Sequence, residues 1–261
     1  MYRFLAPICC LLLSLSSTAK ACELSIVYAD SWAPISSGEG SLVTGILPSL
    51  VQTIIGDQIG CNISHQGVPW GRAQTMLKHG LADAFITTPT AERLSFTRSS
   101  HNSFYSLDFV AFADRQSAVH EAFNNGMPLG QIGNQFRICD VLGNDWAKSF
   151  YASQGINFIE APTLDNCLMM IKRNRADIII HAADVARHKI QQMGLAEQIV
   201  SIPKVFHRVD FTLMVSNRSP LKSQLIDQVD DHLAGMKRSG KYAAQLEDIS
   251  TATLKSLRRN H

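Results

Sequence analysis

Residues 62–86, NISHQGVPWGRAQTMLKHGLADAFI, contain a strand, a helix and a second strand in that order. Residues 62–67 are predicted as a strand, residues 71–79 as a helix that stops at Gly80, and residues 83–86 as an apolar strand. Before this unit, residues 23–28 predict another strand, and residues 46–59 predict a helix that begins after Thr44-Gly45. This alternation predicts a parallel sheet with helices on its faces, and ligands of such sheets bind at the carboxyl ends of the strands.

The same pattern returns later in the chain. Strands are predicted at residues 108–112, 137–141, 157–160, 177–180 and 211–215, and helices at residues 147–154, 163–172, 221–236 and 241–246. Thr163 is the expected N-cap of the second of these helices. In both halves a helix is followed by a short turn that ends in Asp83 or Asp177, and then by an apolar strand. The chain is therefore predicted to fold as two α/β lobes of similar plan.

The first 21 residues have the parts of a secretion signal. Arg3 supplies the positive charge, residues 5–15 form a short apolar run, and Ala19-Lys20-Ala21 is a small-x-small cleavage site. Removing 21 of 261 residues leaves 240, and the loss of Arg3 and Lys20 leaves 22 basic and 22 acidic residues. We expect export to the periplasm. The alternatives are an uncleaved or buried N-terminal helix and a lipoprotein anchor at Cys22.

Four of the six cysteines remain after this cleavage: Cys22, Cys61, Cys139 and Cys167. An even number in an oxidising compartment predicts two disulfides, for which three pairings are possible. Cys22 and Cys61 begin two strands that are expected to be adjacent, which favours Cys22–Cys61 and Cys139–Cys167. Because no Cys-x-x-Cys or Cys/His spacing typical of zinc occurs, we expect neither a metal nor another cofactor.

Several short motifs occur in a fixed order: DSWAP at 30–34, Thr44-Gly45, VPWGR at 68–72, GLAD at 80–83, TPTAER at 88–93, and residues 219–242 at the C-terminus. In this order and spacing they resemble the family 3 periplasmic solute-binding proteins, which include the polar amino-acid receptors of ABC importers. The resemblance implies two α/β lobes joined by two crossover strands, with a ligand trapped between them by hinge closure. It implies residues 22–105 with 219–261 as lobe 1, and residues 106–218 as lobe 2.

The resemblance implies ligand contacts in the first lobe. Arg93 matches an arginine that clamps a carboxylate, for which a planar guanidinium is suited. Thr88 and Thr90 match positions that offer hydroxyl and backbone N–H groups, although both also fit turn chemistry around Pro89. Trp32 is expected as a stacking wall, with a place in the core as the alternative. Trp70 and Arg72 are further candidates, with packing or solvation as their alternatives.

In the second lobe, Asn144 and Trp146 precede or begin a helix where the family has Gly-Thr or Gly-Ser. Asn144 is expected as a ligand contact or an ordinary N-cap, and Trp146 as additional aromatic surface. Amino-acid receptors of the family carry an acid where this chain has Ala182, so the usual partner of an α-ammonium is missing. His181, which precedes it, is a candidate hydrogen-bonding or pH-sensitive group, or a satisfied core histidine.

The expected function is capture of a small polar, carboxylate-bearing solute by a monomer that delivers it to an ABC importer. One alternative is a ligand-sensing partner of a membrane receptor. The other is a periplasmic enzyme resembling cyclohexadienyl dehydratases, in which Glu92, Asp145 or His181 supplies the acid. No hydrolase elbow, P-loop, dinucleotide fingerprint or His-Glu-x-x-His motif occurs. The sequence contains no stripe of lysines and arginines of the kind that indicates nucleic-acid binding.

Overall fold

The fold is described by a computed structural model that covers residues 22–142 and 145–259. The expected secretion signal lies outside these residues. Within this part of the chain no helix is both long and apolar enough to cross a bilayer.

Ten strands and ten helices form the structure in this part of the chain. The strands are β1 (Cys22–Ala29), β2 (Ser31–Trp32), β3 (Ser36–Ser37), β4 (Cys61–Val68), β5 (Ala84–Thr87), β6 (Thr97–Asp114), β7 (Cys139–Val141), β8 (Ile159–Ala161), β9 (Ile178–Ala182) and β10 (Ile199–Ser216). The helices are α1 (Ile46–Val51), α2 (Trp70–His79), α3 (Ala91–Leu94), α4 (Val119–Asn124), α5 (Leu129–Gln135), α6 (Asp145–Ser153), α7 (Leu164–Lys172), α8 (Ala183–Gln192), α9 (Lys222–Arg238) and α10 (Lys241–Arg259).

The main sheet has the strand order β4-β1-β5-β10-β6-β9. Strands β4, β1 and β5 are parallel, as the alternating pattern predicted, and β10 joins them antiparallel to β5. At the other end β9 pairs with β6 and is linked through Ile138 and Ile178 to the two-stranded sheet of β7 and β8. Both lobes thus have the same plan, in which three parallel strands are extended by β6 and β10.

Helices cover both faces of the first-lobe sheet. Val27 and Phe85 pack against Leu77 of α2 on one face. On the other face Ile26 packs in the larger core with Leu50 of α1. The alternation of buried side chains along β1 assigns successive residues to opposite faces, because side chains of a strand point alternately up and down. Helices therefore cover both faces of this sheet, and a ligand site is expected in the loops after the strand ends.

The structure differs most from the sequence prediction in the lengths of β6 and β10. Residues 108–112 and 211–215 were expected as short strands, but both strands have 18 residues and pair with each other along most of their length. The additional residues of β6 are largely polar, and those of β10 mix apolar and polar side chains without strict alternation, so neither stretch carries a clear strand pattern. Their strand conformation is set by the partner strand.

The first predicted helix also differs from the prediction. Residues 46–51 are α-helical, and the helix continues as a π-helix over Gln52–Gln58. In this wider turn the Gln52 amide donates to Asp57 Oδ1 at 2.7 Å. Gln52 Oε1 accepts from His65 Nε2 at 3.1 Å, and His65 Nδ1 accepts from the buried Tyr28 hydroxyl at 2.9 Å. These bonds tie the helix to the edge strand β4, and burial lowers the pKa of His65.

Two disulfides are present, with the pairings that the sequence favoured. Cys22 lies directly opposite Cys61 in the β1–β4 register, and the two residues are joined. Cys139 of β7 is joined to Cys167 of α7, and both are fully buried. A sulfur in a disulfide cannot also carry the thioether-linked lipid of a lipoprotein. A lipid anchor at Cys22 would therefore require this disulfide to be absent.

Candidate functional site

The loops after β1, β4 and β5 lie at one edge of the first-lobe sheet. These strands are adjacent and parallel, so their carboxyl ends point the same way. Trp32 follows β1, Trp70 follows β4, and Arg93 lies six residues after the end of β5. The fold therefore places residues that are up to 61 positions apart in the sequence at the same edge of the sheet, which is the edge where open α/β sheets bind ligands.

Arg93 is held in place by three neighbours. Its Nε donates to Gln74 Oε1 at 3.2 Å, and its Nη1 donates to the Thr88 carbonyl at 2.9 Å. Its guanidinium lies over the Trp70 ring, 5.2 Å from the centroid. Cation–π contact and hydrogen bonding fix a planar cation in one orientation, so the arginine is pre-positioned at the strand end.

The two threonines contribute to this arrangement through their local structure. The Thr88 carbonyl accepts from Arg93, and the Thr90 hydroxyl caps α3 by accepting from Arg93 N at 3.3 Å. A threonine at this position is a favourable N-cap. The structure thus gives Thr90 a role in turn chemistry, and the contacts of both residues with a ligand remain a prediction.

Trp70 and Arg72 lie in the first turn of α2 and differ in their surroundings. Trp70 packs against Phe85 of β5 at 5.4 Å between ring centroids while it supports Arg93. Trp70 thus packs partly against the core, and its contact with a ligand remains a prediction. Arg72 is exposed, and its place in a ligand cleft remains a prediction.

Trp32 contacts the strands that join the lobes. Its ring stacks on Phe211 of β10, with 5.7 Å between centroids and an interplanar angle of 22°. Trp32 is half-buried, and Phe211 is 8% exposed. Trp32 is thus partly buried against the core, and its role as a stacking wall for a ligand remains a prediction.

His181 lies at the end of β9, where the second lobe meets β6. Its side chain is buried, and this burial lowers its pKa to about 4. At neutral pH the imidazole is uncharged, so a switch near pH 7 is not supported by the structure. Ala182 is fully buried and pairs with Phe109 of β6.

The acid closest to Ala182 in sequence is Asp184, which already has partners. Its Oδ2 accepts from the Tyr105 hydroxyl at 3.2 Å, and its Oδ1 lies 3.8 Å from Arg187 Nη1. Together with burial, this carboxylate raises the pKa of Tyr105 well above its usual value. The residues at the end of β9 thus present an alanine and an engaged carboxylate.

Sequence reasoning missed four aromatic residues beside this region. His207 neighbours both Phe109 and Phe150, with 6.5 Å between the Phe109 and His207 centroids and 6.1 Å between those of Phe150 and His207. Phe211 is the fourth, through its stack with Trp32. No local motif marks these residues. The sequence feature that could have indicated them is the spacing of His207 and Phe211, because residues four positions apart lie on the same face of a strand.

Two predicted residues of the second lobe cannot be placed. Asn144 lies outside the described residues, and Trp146 lies in α6 with its side chain outside the description. Within the described ranges, no three His, Cys, Asp or Glu side chains are grouped to hold a metal ion.

Several solved structures resemble the chain. A histidine kinase sensor domain with similarity to periplasmic binding proteins is 14% identical, with a TM-score of 0.65 over 88% of this chain and 96% of its own. An ancestral cationic amino acid solute-binding protein is 15% identical, with a TM-score of 0.65 over 87% and 95%. The P235GK mutant of ArgBP from T. maritima is 18% identical, with a TM-score of 0.62 over 88% and 95%.

No protein-family model matches the sequence, and no curated protein does. The structural likenesses have low sequence identity, so they establish the architecture and leave the ligand open. With three parallel strands in each lobe and two shared long strands between them, the chain has the two-lobed fold of the periplasmic solute-binding proteins.

Proposed function

We propose that this protein is a periplasmic solute-binding protein that closes its two lobes around a small, polar, carboxylate-bearing solute. The observation that carries the proposal is the geometry of Arg93. Its guanidinium is held by Gln74, Thr88 and Trp70 at the carboxyl end of β5. A cation that is fixed in this way loses less conformational freedom when it binds a carboxylate.

The hinge supports a closing motion of the lobes. The polypeptide crosses between the two halves of the structure in β6 and β10. Such a pair of strands can bend or twist while the strand pairing within each lobe stays intact. We propose the lobe limits expected from the sequence, residues 22–105 with 219–261 and residues 106–218. The shared strands would then carry the motion.

Delivery to an importer is the proposed role of the loaded protein, as a monomer. Among the similar structures, an amino acid ABC transporter substrate-binding protein favours this role. The histidine kinase sensor domain favours a second candidate, in which the closed lobes signal to a membrane receptor. Pull-down of a permease or of a sensor by the ligand-loaded protein separates the two.

The test is a thermal-shift screen of the purified mature protein against amino acids, organic acids and amines. A ligand at 100 times its dissociation constant stabilises the folded state by about 2.7 kcal/mol. We expect carboxylates to stabilise the wild type, and Arg93→Ala to weaken their binding by about 30-fold or more, since a fixed charge pair contributes about 2 kcal/mol or more.

Arg98→Ala is the matched control, because Arg98 is exposed and bonds Ser223 of α9, away from the strand ends. Equal binding of a carboxylate by wild type and Arg93→Ala would refute the clamp. Steady turnover of prephenate would support the enzyme alternative. Mass spectrometry of the exported chain should give Cys22 as its first residue.

A further inference from the structure

The strands that join the lobes have two chemically different faces. From His207 to Phe211 the register with β6 is unbroken, with His207 opposite Phe109 and Phe211 opposite Tyr105. We call this segment, residues 105–109 with 207–211, the hinge ribbon. Directly opposed residues of paired strands point to the same side, so each face of the ribbon can be read from the register.

One face of the hinge ribbon is polar and is satisfied within itself. Arg208 Nε and Nη2 donate to the Asp108 carboxylate at 2.6 and 2.9 Å. The Ser106 hydroxyl donates to Asp210 Oδ1 at 2.5 Å. These four residues pair across the two strands and are mostly exposed. This polar face needs no ligand to complete it.

The other face is aromatic and touches both lobes. Trp32, from the loop after β1, stacks on Phe211. Phe150, from α6 in the second lobe, contacts His207, which contacts Phe109. We call these five residues the aromatic strip. It runs from one lobe to the other along the hinge ribbon.

The aromatic strip is accessible in part. His207 is exposed, Trp32 and Phe150 are half-buried, and Phe109 and Phe211 are each 8% exposed. Phe109 and Phe211 belong to the hydrophobic core, against which Trp32 and Phe150 pack, so the accessible part of the strip is His207 with the partly exposed Trp32 and Phe150. The strip therefore offers aromatic surface between the lobes.

The end of β9 adds no unpaired acid beside this surface. Ala182 pairs with Phe109, which places it on the aromatic face, and Asp184 is bonded by Tyr105. The position where the resemblance implies an acid is therefore filled by the buried side chain of Ala182. A flat apolar group would gain stacking contacts.

We infer that the ligand is a carboxylate bearing an aromatic ring, with the ring against the aromatic strip and the carboxylate at Arg93. Strands β1 and β5, which precede Trp32 and Arg93, are adjacent and parallel, so both residues follow strand ends at the same edge of the sheet. The inference rests on the proposed function, whose ligand class it narrows.

The test compares matched acids that differ only in the ring, phenylacetate with cyclohexylacetate and benzoate with cyclohexanecarboxylate, by isothermal titration calorimetry. Stacking of one aromatic pair predicts that the aromatic acid binds about 2- to 13-fold more tightly. His207→Leu and Phe211→Leu should bring this ratio towards one. His207 is exposed, so its replacement leaves the core intact; circular dichroism checks the fold of both variants.

Asp210→Asn is the control on the polar face of the same strand, and it should keep the wild-type ratio. Equal affinity within each pair, or a ratio that neither strip variant changes, would overturn the inference and leave the proposed function standing. The same holds if only aliphatic carboxylates from the screen bind. If no carboxylate binds, the proposed function fails, and the inference fails with it.

Discussion

His181 is predicted to make the stability of the protein depend on pH in the mildly acidic range. Burial lowers its pKa from 6.5 to about 4 in the folded state, whereas the unfolded chain has the ordinary value. Between these two pH values the unfolded state binds a proton that the folded state does not. The stabilising contribution is therefore complete above pH 6.5 and is lost as the pH falls towards 4.

The size of the effect follows from the difference between the two pKa values. Each unit corresponds to about 1.4 kcal/mol, so the full contribution is about 3 kcal/mol. By the linkage relation, about 2 kcal/mol is lost between pH 7 and pH 5, and about 3 kcal/mol between pH 7 and pH 4. Measurements at pH 5 and above avoid most of the titration of the carboxylates.

The assay is urea unfolding of wild type and His181→Leu at pH 7, 6 and 5, followed by far-UV circular dichroism. Only the change with pH is compared, because the substitution also alters packing beside Phe109. His65, whose pKa is also lowered, titrates in both proteins and cancels. The wild type should lose about 2 kcal/mol more than the variant between pH 7 and pH 5.

Parallel loss of stability in the two proteins, within about 0.5 kcal/mol, would refute a buried, neutral His181. A second measurement is independent of folding energy. The ring proton of His181 should titrate near pH 4 in an NMR experiment, and a midpoint near 6.5 would show that the imidazole reaches solvent.

Two further predictions concern the covalent and backbone framework. Replacing Cys139 and Cys167 together by alanine should lower the free energy of unfolding by about 3.6 kcal/mol, since the disulfide closes a loop with a sequence separation of 28. Mild reduction and alkylation of the native protein should label Cys22 and Cys61 first, because Cys139 and Cys167 are fully buried. Preferential labelling of the buried pair would contradict this placement. Gly45 has φ 133°, and an added Cβ would lie 2.6 Å from the Ile35 carbonyl oxygen. Gly45→Ala should therefore lower the free energy of unfolding by about 3 kcal/mol or more. Gly40 has φ 59° and open space around it, so Gly40→Ala should lower the free energy of unfolding by about 1–2 kcal/mol. Equal melting temperatures for the two variants would count against the backbone geometry at Gly45.

The parts of the fold that sequence predicted are those with a local signal. The helix of residues 71–79 has apolar side chains at helical spacing and a glycine at its end, and α2 ends at Gly80 in a left-handed conformation. Thr163 was expected as an N-cap, and its hydroxyl accepts from Asn166 N. Caps and periodicity act over a few residues, so they can be read without knowing what packs against them.

The extent of β6 and β10 had no such signal. The first residues of β6 are largely polar, and those of β10 mix apolar and polar side chains irregularly. Both stretches become strands because each supplies the hydrogen-bond partners of the other. The same holds for the π-helical turn, where Gln52 meets Asp57 and His65. Propensity alone does not encode a partner that is far away in sequence.

For the candidate site, the residues that follow the strand ends can be read from the sequence, and order, spacing and resemblance made Arg93 and Trp32 proposed ligand contacts. The sequence also has Ala182 where the resemblance implies an acid. That Arg93 lies over Trp70, that His181 is buried and neutral, and that Trp32 stacks on Phe211 follows from the three-dimensional structure alone. The physical reason is that strand ends are set by local pattern, whereas the neighbours of a side chain are set by pairing between strands about 100 residues apart, such as β6 and β10.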